Sequence, residues 1–205
     1  DIRTPLSMVM GYAGQLEDDE TLPRLRREQA AVIRRQSQTI RDLVNDLNLT
    51  MRLDYDMQPL RKSLVSPAAI LRQGAADLLN SGLGDAYSVE MVIPDCPPAL
   101  EGDAFLLRRA VNNLFQNCVR HNPEGCAIRA GLRQEGKWCV LWVESCRIDS
   151  APCAAHPAEE ADGGASHGTG LKLVQQIARS HGGTARFCSG DGHFLSQLFL
   201  PLSRR

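Results

Sequence analysis

Two heptad patterns of apolar residues occupy the first part of the chain. One follows alternating spacings of four and three through Ile2, Leu6, Val9, Ala13 and Leu16. The second pattern begins after a polar stretch from Asp18 to Pro23. It comprises Ala30, Ile33, Ser37, Ile40, Val44, Leu47 and Met51. These seams predict two long helices joined by a short link, which is an antiparallel hairpin.

A single hairpin of this kind leaves one apolar seam uncovered. Pairing with a second copy would bury that seam in a four-helix bundle, so the pattern predicts a homodimer. The alternative is that the hairpin packs on its own C-terminal domain. The helical pattern stops before Pro59. We therefore predict two domains, at 1–58 and 59–205.

The second domain shows helical and strand patterns in turn. Predicted helices cover 67–80, 103–121 and 171–180, and predicted strands cover 87–93, 128–132, 138–142, 184–189 and 193–200. Ser81 to Gly84 should break the first helix, and Glu135-Gly136 should form the turn of a hairpin. Residues 149–167 have no period, which is typical of a functional lid or a disordered loop. The pattern predicts an α+β sandwich with an antiparallel or mixed sheet and helices on one face.

Composition narrows the class only slightly. The chain has 205 residues, 43% hydrophobic and 23% charged, with a formal net charge of -1. This balance gives no reason to expect nucleic acid as a partner. Seven cysteines, without Cys-x-x-Cys spacing, indicate reduced thiols in a cytosolic compartment.

The helix from Asp103 carries the main candidate chemistry. Asp103 can cap its first N–H groups, and an apolar face runs along it. Asn113 and Asn117 lie four residues apart, so their amides share one face beside that apolar stripe. Carbonyl oxygens there suit a hard cation such as Mg²⁺, which usually arrives with phosphates. The alternative is that both amides simply face water.

A second candidate is the glycine-rich entry to the last helix. Gly168, Thr169 and Gly170 precede Leu171. Backbone N–H groups at a helix start bind anions, and glycine allows a phosphate to come close.

The stretch NNLFQNCVRHNPEG, residues 112–125, resembles the N box of sensor histidine kinases, within the ATPase superfamily that includes Hsp90, MutL and gyrase. This resemblance implies that Asn117 holds the Mg²⁺ of ATP and that Asn113 is its partner one turn earlier. Arg120 and His121 stand where the family often has a lysine and a tyrosine. The second domain is then an ATPase-like α/β sandwich.

DIRTPL, residues 1–6, resembles the H box of the same family. The resemblance places the phosphoacceptor histidine immediately before Asp1, outside this sequence. It implies that Asp1 is the acid assisting phosphotransfer and that Thr4 orients water in the phosphatase reaction. Because the acceptor is not in this polypeptide, we expect it not to autophosphorylate.

The two glycine boxes of the family differ in how well they are preserved. GLKLVQQIARSHGG, residues 170–183, resembles the second box and its helix, with Gly168 and Gly170 kept for phosphate contacts. The first box, Asp-x-Gly-x-Gly, corresponds to a stretch in which Ser145 replaces the adenine-binding aspartate and Arg147 and Asp149 replace glycines. A neutral serine should bind the adenine amino group more weakly, because charge-assisted hydrogen bonds are about twice as strong. Glu144 should point to the opposite face of the strand.

Two functions are compatible with these observations. The resemblance implies a protein-histidine kinase core that uses ATP and Mg²⁺ and passes a phosphoryl group to a response regulator receiver domain. It would be the cytoplasmic domain of a membrane-anchored sensor. The alternative, favoured by the altered first box, is a dimeric scaffold or phosphatase-type regulator that has lost normal ATP binding.

Overall fold

The computed structural model describes residues 2–55, 59–83, 86–146, 169–190 and 192–203. The chain divides into two compact units, Asp1–Met51 and Arg52–Arg205. Helix α2 continues to Asp54, and residues 56–58 lie outside the described part. The boundary placed at 58 therefore stays a prediction. No described helix combines the length and apolar character needed to span a membrane.

The first unit is a helical hairpin of α1 (Arg3–Asp18) and α2 (Arg24–Asp54). The loop between them is held by Asp19, whose carboxylate accepts bonds from the backbone and hydroxyl of Thr21 at 2.9 and 2.6 Å. Ala13 and Ala30 are each 3% exposed, so small residues allow the helices to approach closely. Across the pair, Arg34 binds Glu17 through two N–H···O contacts, at 2.6 and 3.1 Å.

In the part of the chain that the structure describes, the second unit contains a five-stranded mixed sheet and a separate two-stranded sheet. The strands are β1 (Ser63–Val65), β2 (Tyr87–Val92), β3 (Leu100–Gly102), β4 (Cys126–Glu135), β5 (Trp138–Cys146), β6 (Thr184–Gly190) and β7 (His193–Pro201). The large sheet has the order β2-β4-β5-β7-β6, and β1 pairs with β3. Only the β2–β4 pairing is parallel within the large sheet. The predicted mixed sheet is confirmed.

Three helices cover one face of the large sheet: α3 (Pro67–Leu78), α4 (Ala104–His121) and α5 (Thr169–Ser180). Helix α3 begins as its sequence predicts, with Ser66 capping Ala69 N–H at 3.3 Å and Pro67 in the first turn. Aliphatic side chains make up most of the core of the second unit. Its largest fully buried side chains include Leu71, Leu106, Leu114, Ile128, Leu141, Leu173, Ile177 and Leu198.

The two alternating patterns of the β4–β5 hairpin lie on opposite faces of the sheet. Leu132 pairs with Leu141 on the helix side, whereas Trp142 pairs with Gly131 on the outer side. The turn is Gly136-Lys137, one residue later than predicted, because Glu135 still pairs with Trp138. Gly136 has φ +56°, which a two-residue hairpin loop requires.

Other local predictions need correction. Ser81 to Gly84 does not break the helix after α3 at once, since residues Leu79–Leu83 form a π-helical turn. Ser81 Oγ donates to the carbonyl of Leu78 at 2.6 Å, which satisfies a carbonyl at the end of α3. Strands β1 and β3 were not predicted, because three residues are too few to show a period. Helix α5 begins at Thr169, two residues before the predicted start.

Candidate nucleotide site

Asp103 fixes the beginning of α4, as its position in the sequence predicts. Its Oδ1 accepts hydrogen bonds from the N–H groups of Phe105 and Leu106 at 3.0 and 3.2 Å. Its Oδ2 accepts the N–H of Arg61 at 3.0 Å, so the cap also holds the chain before β1. The carboxylate thus satisfies donors that the helix itself leaves unpaired.

Asn113 and Asn117 are buried on the inner part of α4, each 8% exposed. Asn113 Nδ2 donates to the carbonyl of Arg109 at 3.0 Å, which leaves its Oδ1 available on the other side. The carboxamide of Asn117 forms no hydrogen bond with another described residue. Both residues are thus largely shielded from solvent, and Asn117 keeps an oxygen for a ligand.

Gly170, near the start of α5, lies directly against this pair. A Cβ atom at Gly170 would be 2.7 Å from Asn113 Oδ1, which is closer than side chains approach one another. Only glycine therefore fits beside the asparagine without displacing it. Thr169, the first residue of α5, is partly exposed, and Gly168 lies outside the described residues.

Ser145 joins the same region from the sheet. It is 3% exposed on the helix side of β5, opposite Ile128 of β4 and Phe194 of β7. Its side chain lies beside the thiol of Cys118, the residue after Asn117. Burial raises the pKa of that thiol to about 12, although Ser145 lowers it, so this group remains neutral. The sequence did not predict that Ser145 and Cys118 are neighbours, because a single cysteine carries no pattern that indicates a partner on another element.

The remaining predicted site residues lie at different places. Arg120 and His121 are exposed in the last turn of α4, three and four residues after Asn117, where cations suit the helix dipole. Thr4 is exposed in the first turn of α1. Asp1, Arg147 and Asp149 are not among the described residues.

Glu144 takes no part in this site. It lies on the outer face of the sheet, where its Oε2 is 3.8 Å from Nη1 of Arg129. Arg129 also binds Glu90 at 3.0 Å and lies over the ring of Trp142. Alternation along β5 therefore separates Glu144 from Ser145, as expected from the strand period.

The chemistry of the donor set limits which metal could bind here. The described residues include no group of three or more His, Cys, Asp or Glu side chains able to hold an ion. A cation at Asn117 would have to take most of its oxygen ligands from phosphates and water. Magnesium binds in this way, with few protein ligands and several from substrate phosphates. The buried amide oxygen and the glycine-lined helix start therefore fit magnesium and nucleotide phosphates.

Two family models match the chain. Residues 1–56 match the His Kinase A (phospho-acceptor) domain. Residues 102–204, half of the chain, match the Histidine kinase-, DNA gyrase B-, and HSP90-like ATPase. The chain belongs to the histidine kinase-type ATPase family. The two domains occur in the order found by the H-box and N-box resemblances, so the predicted relation to sensor histidine kinases is confirmed.

Relatives of this histidine kinase core include two curated sensor kinases. Sensor histidine kinase YvrG of Bacillus subtilis is 27% identical over 194 residues, covering 90% of this chain and 33% of that protein. The probable sensor histidine kinase TcrY of Mycobacterium tuberculosis is 25% identical, covering 98% of this chain and 44% of that protein. The chain therefore spans between a third and a half of the length of these relatives.

Solved histidine kinases share the fold. The match to the Acinetobacter baumannii histidine kinase AdeS covers 99% of this chain and 98% of the AdeS chain, with a TM-score of 0.68 and 16% identity. Full-length ShkA in complex with AMPPNP has a TM-score of 0.70 at 21% identity, covering 99% of this chain and 45% of that one. The predicted fold, a helical hairpin followed by an α/β domain with a mixed sheet, is confirmed.

Proposed function

We propose that the whole protein is an ATP-dependent sensor histidine kinase, which phosphorylates a histidine and passes the phosphoryl group to a response regulator receiver domain. The observation that carries this proposal is the meeting of two separate sequence motifs at one place. Gly170 lies against Asn113, and Asn117 is buried one turn further along α4 with an unused carboxamide. Membership of the ATPase family supports the proposal that a nucleotide binds here.

Each residue of the site has a distinct part in this proposal. The backbone N–H groups at Gly168, Thr169 and Gly170 bind phosphate at the positive end of α5. Asn117 holds Mg²⁺, which would neutralise charge on the transferring phosphoryl group. Arg120 and His121 supply a cation and a ring beyond Asn117. Phosphoryl transfer needs little covalent chemistry from the protein, so positioning is the main task.

Ser145 binds the base in this proposal, with less strength than a carboxylate would have. Its hydroxyl is buried beside the thiol of Cys118 and carries no charge, so it offers only a neutral acceptor. This is the observation that favours the second candidate, a histidine-kinase-like scaffold or phosphatase-type regulator that does not bind ATP tightly. The two candidates differ in nucleotide affinity.

The transfer step belongs to the first domain. We assign Asp1 as the acid that assists phosphotransfer and Thr4 as the residue that orients water. Histidine kinase ThkA, solved in complex with response regulator protein TrrA, shares the fold of this chain at a TM-score of 0.66. By analogy, we propose a response regulator receiver domain as the partner of this chain. We further propose that the chain is the cytoplasmic part of a membrane-anchored sensor, since its curated relatives are longer sensor proteins.

The first experiment is calorimetric titration of the chain with ADP and with a non-hydrolysable ATP analogue, with and without Mg²⁺. Micromolar binding that depends on Mg²⁺ is the expected result, because the chain keeps Asn113, Asn117 and Gly170 at the proposed metal and phosphate positions. GDP is the control for recognition of the adenine base, because it carries the same phosphates on a different base. An absence of binding at millimolar nucleotide would contradict the kinase proposal and leave the scaffold as the better account.

The hairpin also supports a homodimer. Residues 30 and 37 of the α2 seam are buried within the hairpin, whereas Ile33, Ile40 and Leu47 are 49, 48 and 52% exposed. About half of the heptad seam is thus buried within one chain, and the other half exposes large aliphatic side chains to solvent. A second copy would cover them with the same surface, as a two-fold bundle requires.

The double variant Ile33→Gln, Ile40→Gln should shift the chain from dimer to monomer, because it places two polar groups in the buried seam of the bundle. Light scattering over a dilution series measures this, and we expect the dimer dissociation constant to rise at least a hundredfold. Val32→Gln is the matched control, since Val32 is 45% exposed and lies off the seam. A monomeric wild-type chain would instead support packing of the hairpin on its own C-terminal domain.

A further inference from the structure

His181 is a buried titratable group to which the proposed function gives no part. It follows α5 directly and is 5% exposed. Its backbone N–H lies 3.3 Å from the carbonyl of Ile177 and 3.1 Å from that of Ala178, so it closes the helix. Gly182, with φ +75°, then turns the chain away. The imidazole is left beneath the end of α5, pointing toward α4.

The neighbours of the imidazole permit only one protonation state. Nδ1 is 2.7 Å from the carbonyl oxygen of Ile177, which can only accept, so Nδ1 carries a proton. Nε2 is 2.9 Å from the backbone N–H of Asp103, which can only donate, so Nε2 carries none. Both bonds together require the neutral Nδ1–H tautomer.

The backbone that His181 meets is itself held in place. The Asp103 carboxylate accepts three N–H groups, from Arg61, Phe105 and Leu106. Gly102 leaves room for the ring, since a Cβ there would lie 3.1 Å from His181 Cδ2. The imidazole is therefore a link between the end of α5 and a rigid start of α4.

The candidate nucleotide site lies at the opposite end of α5. Helices α4 and α5 run antiparallel, so His181, after the end of α5, meets Asp103 at the start of α4, and Gly170, at the start of α5, meets Asn113 in the middle of α4. The two contacts are separated by roughly 15 Å along the helix axis. A helix tied at one end cannot slide along its partner without changing the fit at the other.

We propose that neutral His181 is a positioning residue of the nucleotide site, setting the register of α5 on α4 and so the place of Gly170 beside Asn113. The proposal rests on the function proposed above. Protonation turns Nε2 into a donor that faces the Asp103 N–H, so the link is lost and the register relaxes. Nucleotide affinity then falls in acid.

The direction of the pH effect follows from the surroundings of the ring. Burial lowers the pKa of His181, while the bond to Ile177 and the Asp103 carboxylate raise it and Lys62 lowers it. Ser180 Oγ, 3.4 Å from Nδ1, is the other polar group beside it. Because the folded pKa lies below the unfolded value of about 6.5, the contribution to stability is complete above that pH and is lost as pH falls through the folded pKa.

The decisive test is a ¹⁵N NMR titration of the ligand-free chain between pH 5 and 8. We expect the Nδ1–H tautomer, a pKa below about 6.5, and a parallel shift of the Gly170 backbone amide and the Asn113 side-chain amide. In His181→Gln, which keeps an acceptor but does not titrate, those amides should not respond. Ser180→Ala, the matched control, should keep the response. An Nε2–H tautomer, or Gly170 and Asn113 signals that ignore His181, would overturn the proposal.

Calorimetry with ADP and Mg²⁺ at pH 7.5 and 5.5 gives the functional readout. On acidification the dissociation constant of the wild type should rise about fivefold more than the dissociation constant of His181→Gln. A difference of about fivefold is the effect expected from the loss of one modest hydrogen bond. The ligand's own phosphate titrates equally with both proteins, so the comparison isolates His181. Equal pH profiles would contradict the proposal. Absence of binding by every protein at pH 7.5 would count against the nucleotide site alone, because the NMR titration decides the role of His181 without ligand.

Discussion

Replacing Asn117 by alanine should weaken Mg²⁺–nucleotide binding at least a hundredfold while leaving the fold intact. Asn117 is buried, and its carboxamide bonds to no other described residue, so its removal leaves none of those residues without a hydrogen-bond partner. What is lost is the protein's oxygen ligand for the cation. A hundredfold loss corresponds to about 2.7 kcal/mol of binding free energy.

The clearest measurement is the ratio of ADP dissociation constants without and with Mg²⁺. In the wild type we expect this ratio to be large, and in Asn117→Ala it should approach one. Gln116→Ala is the matched control, because Gln116 is the adjacent amide on α4 but is exposed. A ratio that survives in Asn117→Ala would show that the metal is held elsewhere.

Gly183→Ala should destabilise the second unit by about 3 kcal/mol or more. A Cβ at this position would overlap the carbonyl oxygen of Phe199 in β7 and come within 3.3 Å of the carbonyl oxygen of Ala178. Both obstacles are backbone, so no side chain can rotate away. Gly183 N–H also donates to Ala178 at 2.9 Å, which ties the end of α5 to the start of β6.

Urea unfolding in the absence of nucleotide measures this loss, and the thermal midpoint should fall by about 6–12 °C. Gly190→Ala, at the far end of β6, is the matched control, because a Cβ there would meet only His193 Cε1, at 3.9 Å. Its effect should stay within about 0.5 kcal/mol. Equal midpoints for the two variants would contradict the close approach of β6 and β7 at Gly183.

Local signals predicted most of the elements of this chain. Heptad spacing predicted α1 and α2, and the Asp103 cap with its apolar stripe predicted α4 close to its observed bounds. These signals are readable because each arises within a few turns of one helix. The three-residue strands β1 and β3 offered no such period, and the π-helical turn at Leu79–Leu83 depends on how α3 ends in its surroundings.

The sequence by itself determined the family, the order of the longer helices and strands, and the residue types of the site. The amides of Asn113 and Asn117 share a face because of helical spacing alone. The glycines at the start of α5 can be read directly from the sequence. Which residues meet was decided only by tertiary structure. Asn113 beside Gly170, Ser145 beside Cys118, and His181 beneath Asp103 each join elements that are far apart in the chain. Such contacts arise from helix packing and strand register, and no local pattern records them.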